Sequence, residues 1–121
     1  MKILIQNGRV IDPASGLDRA CDVALAAGRI IGIGQVPAGF APNRTIDATG
    51  CIVAPGLVDL AVRLREPGHE HEGMLESEMG AAVAGGVTSV VCPPDTDPVL
   101  DEPGLVEMLK FRAEKLHQSR L

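Results

Sequence analysis

Aromatic residues are scarce in this chain, which has no tryptophan, no tyrosine and only two phenylalanines, Phe40 and Phe111. A hydrophobic core must therefore be built from Val, Ile, Leu and Ala. Hydrophobic residues make up 45% of the 121 residues, which is enough to bury the core of an ordinary domain. Fourteen glycines and nine prolines indicate many tight turns. This composition is more typical of an α/β protein than of a helical one.

Two further absences limit the partners and the location of the protein. Lysines and arginines form no cluster that could neutralise a row of phosphates, and the net charge is -5, so we expect no nucleic-acid partner. The apolar run at the N-terminus stops at Gln6-Asn7-Gly8, too early for a signal peptide, and no later stretch approaches a membrane span. We therefore expect a cytoplasmic protein with no membrane partner.

Paired cysteines are also missing. Cys21, Cys51 and Cys92 are widely spaced and form no Cys-x-x-Cys motif, so the sequence indicates neither a cysteine zinc site nor a redox pair. No partner for a catalytic cysteine can be recognised from a motif. We expect each cysteine to be a small buried residue.

The pattern of the chain changes near residue 56, which predicts two domains. Residues 1–56 are expected to form a small all-β, sandwich-like unit in which turn residues separate six short strands. The predicted strands are 2–6, 9–11, 22–25, 29–33, 45–47 and 51–54. Asn7-Gly8 and Ala27-Gly28 fall where hairpin turns are expected.

In residues 57–121 the sequence pattern predicts a strand (57–64), a helix (about 74–84), a second strand (87–92) and a final helix. Asp101 is the candidate N-cap of that last helix, with Pro103 in its first turn. Strand, helix, strand, helix implies a parallel sheet with crossover connections. A closed (β/α)₈ barrel takes about 250 residues, so only its beginning can be present here. Such an incomplete sheet has open edges, so we expect an oligomer or further chain to cover it.

The first strand of this second part alternates between a polar and an apolar face. The polar face carries Asp59, Ala61, Arg63 and Arg65. We expect the apolar face to be buried under the following helix, and its members are Leu60, Val62 and Leu64. In a barrel strand the polar face looks inward, and its C-terminal end opens onto the active site.

Several motifs resemble the opening of dihydroorotases and their cyclic amidohydrolase relatives, which include allantoinases and dihydropyrimidinases. The matching stretches are Pro55-Gly56-Leu57-Val58-Asp59, Leu64-Arg65-Glu66-Pro67-Gly68, Glu70-His71, Ala81-Ala82 with Gly85-Gly86-Val87-Thr88, and Pro94-Asp95-Thr96-Asp97-Pro98. The resemblance covers essentially the whole chain, because this family begins with a small β-unit before its barrel. It implies a zinc-dependent hydrolase that interconverts carbamoyl aspartate and dihydroorotate in pyrimidine synthesis.

The chain departs from this family at positions that bind metal and substrate. The family's first barrel strand reads Asp-x-His-x-His, with both histidines on zinc, whereas Ala61 and Arg63 stand here. A methyl group has no lone pair to donate, and a guanidinium brings a positive charge. The family motif Met-Pro-Asn-Thr has become Pro93-Pro94-Asp95-Thr96. Its Asn holds the substrate carboxylate together with the Arg matching Arg65, and Asp95 would oppose that carboxylate. We therefore expect no cofactor and no catalytic residue, with Arg65 and Asp95 as a vestigial substrate site.

Two arginines leave alternatives open. Arg63 is expected to replace the missing metal as a resident cation paired with Asp59, and Asp95 is a second possible partner. The alternative is that the Arg63 head extends into solvent. Arg65 either pairs with an anion or forms a structural salt bridge to Glu66 or Asp95.

A second His-x-His sequence, His69-Glu70-His71, could be read as a replacement metal site. It lies beyond the strand end, where no rigid scaffold would aim both rings, so we favour a solvated loop. The acidic residues around it are expected to occupy the exposed N-terminal turns of a helix. These residues are Glu70, Glu72, Glu76 and Glu78.

The resemblance leads to one preferred function and two alternatives. The preferred one is a non-catalytic, dihydroorotase-like protein that assembles with aspartate transcarbamoylase and has a structural role. The first alternative is an active cyclic amidohydrolase with ligands from elsewhere, since the family's later ligands, a carboxylated lysine and further histidines, would lie beyond Leu121. The second is that the sequence is a piece of a longer chain, which would then supply the partner.

Overall fold

The computed structural model describes residues 1–121, which contain nine β-strands and two α-helices. Seven strands belong to one unit, Met1–Pro55, and two strands with both helices belong to a second unit, Gly56–Leu121. This mixture of strands and helices is the α/β composition expected from the sequence. Neither helix combines the length and the apolar character that a membrane crossing would require.

The first unit consists of two small sheets. Its strands are β1 (Lys2–Gln6), β2 (Arg9–Asp12), β3 (Leu17–Ala20), β4 (Val23–Ala26), β5 (Arg29–Ile33), β6 (Arg44–Asp47) and β7 (Ile52–Val53). One sheet has the order β5-β4-β1-β6 and the other the order β3-β2-β7. Each contains one parallel pair, β1 with β6 and β2 with β7, and the other neighbours are antiparallel. The largest burial in this unit is at Val10, Val23, Ala24 and Ala48.

Strand β3 is the element that the sequence pattern did not predict. Its residues are Leu-Asp-Arg-Ala, and three of the four are exposed, so no apolar alternation marks it. It forms because it pairs antiparallel with β2. A bidentate ion pair connects the two strands, with Arg9 Nε 2.6 Å from Asp18 Oδ1 and Arg9 Nη2 2.7 Å from Asp18 Oδ2. This cross-strand pair lowers the pKa of the Asp18 carboxyl, chiefly through the hydrogen bond from Arg9.

Of the two predicted hairpin turns, one is confirmed and one is wrong. Ala27 and Gly28 both have positive φ, 50° and 72°, as a two-residue turn between β4 and β5 requires. Asn7-Gly8 is not a hairpin turn, because β1 and β2 belong to different sheets. Gly8 is needed there for close approach, since an added Cβ would lie 2.5 Å from Val53 Cγ2.

The expected burial of the cysteines is wrong for Cys51, which is exposed, while Cys21 and Cys92 are half-buried. Cys51 precedes the two-residue strand β7, and its N–H bonds the carbonyl of Ala48 in a tight turn that leaves the side chain in solvent. Partial burial raises the pKa of the Cys92 thiol, which keeps that thiol protonated and weakly reactive.

The second unit contains β8 (Leu57–Asp59), α1 (Leu75–Ala84), β9 (Val87–Val90) and α2 (Pro103–Leu116). Strands β8 and β9 are parallel, as expected for strands connected through a helix. The end of the chain also pairs with β9 in parallel, opposite Ser89. There the N–H of Val90 donates to the carbonyl of Arg120, and the N–H of Arg120 donates to the carbonyl of Thr88, both at 2.8 Å.

Strand β8 is shorter than the sequence predicted, and Asp59 is the reason. Its Oδ1 accepts the N–H of Ala61 at 2.9 Å, which bends the chain two residues beyond the carboxylate. The alternation of faces therefore does not run unbroken through residue 60, and Leu60 is 72% exposed, so its predicted burial is wrong. Leu64 is fully buried and Val62 packs against the same core, as predicted.

The core of this unit is formed by Leu64 together with pairs of residues four apart on each helix. Leu75 and Met79 come from α1, and Leu109 and Ala113 come from α2. Residues at this spacing lie on one face of a helix, so both helices present their apolar face to the same segment.

The helix ends that the sequence predicted, both ends of α1 and the start of α2, agree with the structure to within one residue. Helix α1 ends at Ala84, as predicted, and the N–H of its C-cap, Gly85, donates to the carbonyls of Ala81 and Ala82. Pro103 lies in the first turn of helix α2, as predicted, and is its first residue, because the N-cap is Glu102 rather than the predicted Asp101. The side chain of Glu102 makes no capping hydrogen bond, so no side-chain interaction favours one of these two positions over the other.

Candidate functional site

The residues singled out in the sequence lie in the two segments that follow β8 and β9. Because these strands are parallel, their C-terminal ends lie at the same edge of the sheet. A pocket of about 70 Å³ is found there, lined by Arg63, Leu64, Arg65, His69, Cys92, Asp95 and Thr96. Pockets that enclose small-molecule ligands have volumes of about 300–1,000 Å³. The part of the site that this chain forms is therefore too small to enclose a substrate.

Arg63 is paired with Asp95, and the predicted pair with Asp59 does not form. The distance from Arg63 Nε to Asp95 Oδ2 is 2.8 Å, so the guanidinium reaches the segment after the neighbouring strand. The carboxylate of Asp59 accepts the N–H of Ala61 within its own segment. The Arg63 and Asp95 side chains are 55% and 48% exposed, so this is a surface ion pair and not a buried cation.

Arg65 also has a different partner from those that the sequence suggested. Its Nη1 lies 3.2 Å from Oε2 of Glu72, and it pairs with neither Glu66 nor Asp95. Arg65 has a left-handed backbone conformation, with φ of 63°, which turns the chain sharply after the buried Leu64. Both partners are 44% exposed. Arg65 and Asp95 line the same pocket but are not joined to each other.

Glu66 has a structural role that the sequence did not indicate. It is 2% exposed, and its Oε2 accepts the N–H of Leu75, the first residue of α1, at 3.0 Å. Its Oε1 is paired with the guanidinium of Arg112 on α2. The carboxylate thus holds the loop against both helices, and its charge is favourable at the positive end of α1.

One sequence signal could have identified this role. The N-cap position of α1 is occupied by Met74, whose side chain is a poor acceptor for the free N–H groups of the first turn. An acceptor from elsewhere in the chain can take this place, and Glu66 does so for the N–H of Leu75.

Three side chains of the loop before α1 place metal-ligand atoms together: those of His69, His71 and Glu72. All three ligand atoms lie within 4.8 Å of one another. Their side chains are 44%, 75% and 44% exposed, as expected of a solvated loop. The Glu72 carboxylate lies 3.9 Å from His69 Nδ1 and 3.7 Å from His71 Nε2. Glu72 and Glu70 belong to this loop and not to the helix, whose first turn contains Glu76 and Glu78.

The two positions that match the zinc-binding histidines of dihydroorotases do not fit a metal ion. Ala61 offers only a methyl group. Arg63 offers a positive charge that is already bound to Asp95 at 2.8 Å. These two residues therefore supply no ligand for a catalytic metal ion.

Comparison with known proteins identifies the family. The family described as Dihydro-orotase-like matches residues 50–120, which is most of the second unit and more than half of the chain. The chain belongs to the dihydroorotase-like family. The match includes both segments that line the pocket.

Individual relatives agree with this membership. A dihydroorotase-like protein of Pseudomonas aeruginosa is 50% identical over the whole of this chain, which covers 29% of the relative. A dihydroorotase-like protein of Pseudomonas putida is 53% identical, again over the whole chain and over 28% of the relative. A dihydroorotase of Pelobacter propionicus is 46% identical over 95% of this chain and 27% of the relative. The dihydroorotase-like chain thus spans less than a third of the length of these relatives.

Solved structures show the same relationship at the level of the fold. An L-hydantoinase (dihydropyrimidinase) from Arthrobacter aurescens matches with a TM-score of 0.79 and 26% identity, over 92% of this chain and 24% of that one. A D-hydantoinase matches with a TM-score of 0.69 and 28% identity, over 89% of this chain and 23% of that one. The dihydroorotase-like chain therefore has the backbone arrangement of a part of these hydrolases.

Proposed function

We propose that this dihydroorotase-like chain is a non-catalytic component of pyrimidine biosynthesis that serves as a structural partner of aspartate transcarbamoylase. The observation that carries the proposal is the occupation of both matched zinc positions by Ala61 and Arg63, with the Arg63 guanidinium bound to Asp95. A protein that keeps the family's fold motifs can keep a surface for a partner, while the loss of two metal ligands weakens its ability to hold an ion that polarises a substrate carbonyl.

The second unit is proposed to be the beginning of a (β/α)₈ barrel. Its support is the parallel order of β8, β9 and the segment at Arg120, with one helix after each of the two strands. Large apolar side chains on and after β8 are open to solvent, with Leu57 and Val58 each 61% exposed. Further barrel strands or a partner protein would cover these side chains. The exposure of these apolar side chains also supports the expected oligomeric assembly.

Association with aspartate transcarbamoylase gives the direct test of the structural role. The purified protein is mixed with aspartate transcarbamoylase and passed through a size-exclusion column with light-scattering detection. We expect a joint peak with a fixed ratio of the two proteins, and the peak should be absent when an unrelated enzyme of similar size replaces aspartate transcarbamoylase. Two separate peaks at every concentration tested, together with a monodisperse monomer of this chain, would contradict the proposal.

The alternative function is an active cyclic amidohydrolase, and the 46% identity to a protein named dihydroorotase favours considering it. An assay of dihydroorotate hydrolysis decides between the two. We expect no activity above background with or without added zinc. Activity that disappears on treatment with a chelator and returns with zinc would instead establish the enzyme.

A histidine-restored variant sharpens this comparison. We expect the double variant Ala61→His/Arg63→His to remain inactive, because Asp95 would still repel a substrate carboxylate. Its free energy of unfolding should change by less than about 1 kcal/mol, since the lost ion pair is exposed. The triple variant, which adds Asp95→Asn to the two histidines, is the matched control for the negative charge of Asp95. Recovery of dihydroorotase activity in the double variant alone would show that the two histidines were the whole difference.

A further inference from the structure

We propose that His69, His71 and Glu72 form a binding site for a divalent transition metal, with Zn²⁺ as the ion used to define it. This site is separate from the two matched zinc positions at Ala61 and Arg63. It goes beyond the structural role proposed above and does not depend on that role.

The distances in the loop are close to those of a coordinated ion. Glu72 Oε1 lies 3.9 Å from His69 Nδ1 and 3.7 Å from His71 Nε2. Zinc binds imidazole nitrogen and carboxylate oxygen at about 2.0–2.2 Å, so two ligand atoms on a tetrahedral ion are about 3.3 Å apart. Contractions of about half an ångström would bring each histidine nitrogen to the expected separation from Glu72 Oε1. The three ligand atoms lie within 4.8 Å of one another, so the widest pair must approach by up to about 1.5 Å, which rotations of these exposed side chains allow.

The backbone of the loop is held by its own hydrogen bonds. The N–H of His69 donates to the carbonyl of Arg65 at 2.8 Å, and the N–H of Glu72 donates to the carbonyl of His69 at 2.9 Å. These bonds form two successive turns, which place residues 69 and 72 on the same side of the loop. The intervening Glu70 is directed away, because its carboxylate accepts the N–H of Gly68 at 3.0 Å. Hydrogen bonds thus hold the backbone of this loop, although it lies beyond the end of a strand.

Arg65 orients the carboxylate of the proposed site. Its Nη1 binds Oε2 of Glu72, while the other oxygen, Oε1, faces the two histidines. A partner on the non-coordinating atom of a ligand helps to fix the orientation of that ligand, and here the partner is an ion pair at 3.2 Å. Arg65 also reduces the charge of the carboxylate, so we expect the site to be weaker than one with a free glutamate.

The donor set determines the class of ion. Two imidazoles and one carboxylate suit Zn²⁺, Cu²⁺ and Ni²⁺ better than Ca²⁺ or Mg²⁺, which prefer oxygen ligands alone. Three protein ligands on exposed side chains leave a fourth position open to water. We therefore expect an ion that exchanges freely and is bound only when metal is supplied, in contrast to a closed structural zinc site.

Titration of the protein with zinc chloride by isothermal calorimetry tests the proposal. We expect saturable binding of about one zinc per chain, with the affinity lowered at least tenfold by His69→Ala and by His71→Ala. The matched control is His117→Asn, which removes the remaining histidine at the end of α2 and preserves a residue that tolerates the left-handed backbone there. This control should bind zinc like the unmodified protein. Circular dichroism of each variant verifies that the fold is retained.

Two further measurements exclude other ways of binding. Cobalt(II) bound at the site should show no thiolate charge-transfer absorption, because the three free cysteines take no part. Glu72→Gln, which keeps the shape of the side chain, should weaken binding because it removes the anionic ligand. Absence of saturable binding, unchanged affinity in the histidine or glutamine variants, or a thiolate spectrum would each overturn the site. None of these outcomes affects the test with aspartate transcarbamoylase, so each proposal can be contradicted without the other.

Discussion

Replacing Glu66 by alanine is expected to lower the free energy of unfolding by about 3 kcal/mol. The substitution removes the charge-assisted pair with Arg112 and leaves the N–H of Leu75 without its acceptor in a buried position. A hydrogen bond to a charged group contributes about 1.5–3 kcal/mol, and an unsatisfied buried N–H costs about 1–3 kcal/mol. The two effects overlap, because one carboxylate makes both contacts. Urea denaturation followed by circular dichroism gives the difference in free energy of unfolding.

Glu72→Ala is the matched control for this prediction. Glu72 is likewise paired with an arginine, Arg65, but both partners are 44% exposed. Exposed pairs contribute about 0–1 kcal/mol, so this variant should unfold at nearly the same urea concentration as the unmodified protein. Equal effects of the two substitutions would show that burial of Glu66 does not determine its contribution.

Leu64→Ala is expected to lower the free energy of unfolding by about 2–5 kcal/mol. Leu64 is fully buried between the apolar faces of α1 and α2, so its truncation loses apolar burial and leaves a cavity. The second unit of this chain has a small core, so a single cavity affects a large part of its stability. Thermal and urea denaturation of the purified protein provide the measurement, and the near-native circular dichroism spectrum at low denaturant verifies the fold.

Leu60→Ala provides the comparison within the same segment. This leucine follows β8 directly and is 72% exposed, so its truncation should change the free energy of unfolding by no more than about 0.5 kcal/mol. If the two alanine variants were equally destabilised, Leu60 would have to be buried in the assembled protein. That result would indicate that further chain or a partner covers this end of the sheet.

The strands show which parts of the fold a sequence pattern can predict. Strands β1 and β5 were placed at their observed bounds, because short apolar runs ended by turn residues are a local property. Strand β3 has no such run, and it forms by antiparallel pairing with β2, to which Arg9 and Asp18 add an exposed ion pair. The length of β8 was overestimated for a related reason, since a side-chain hydrogen bond at Asp59 ends it.

The chemical identity of the site residues was determined by the sequence alone. Whether a side chain can donate a lone pair to zinc depends on its atoms and not on its surroundings. Ala61 and Arg63 therefore exclude two histidine ligands at their positions before any coordinate is known. Family membership was also recognisable from the sequence, because it rests on several motifs in a fixed order. The family match to residues 50–120 supports it.

The partners of the charged residues were decided only by the tertiary structure. Arg63 is bound to Asp95 and Arg65 to Glu72, and the buried carboxylate of Glu66 connects the loop to both helices. Ion pairs depend on distances of a few ångströms between side chains, which strand order, turn geometry and helix packing set together. The gathering of His69 and His71 around Glu72 has the same origin, since two successive turns bring these side chains within reach of one another.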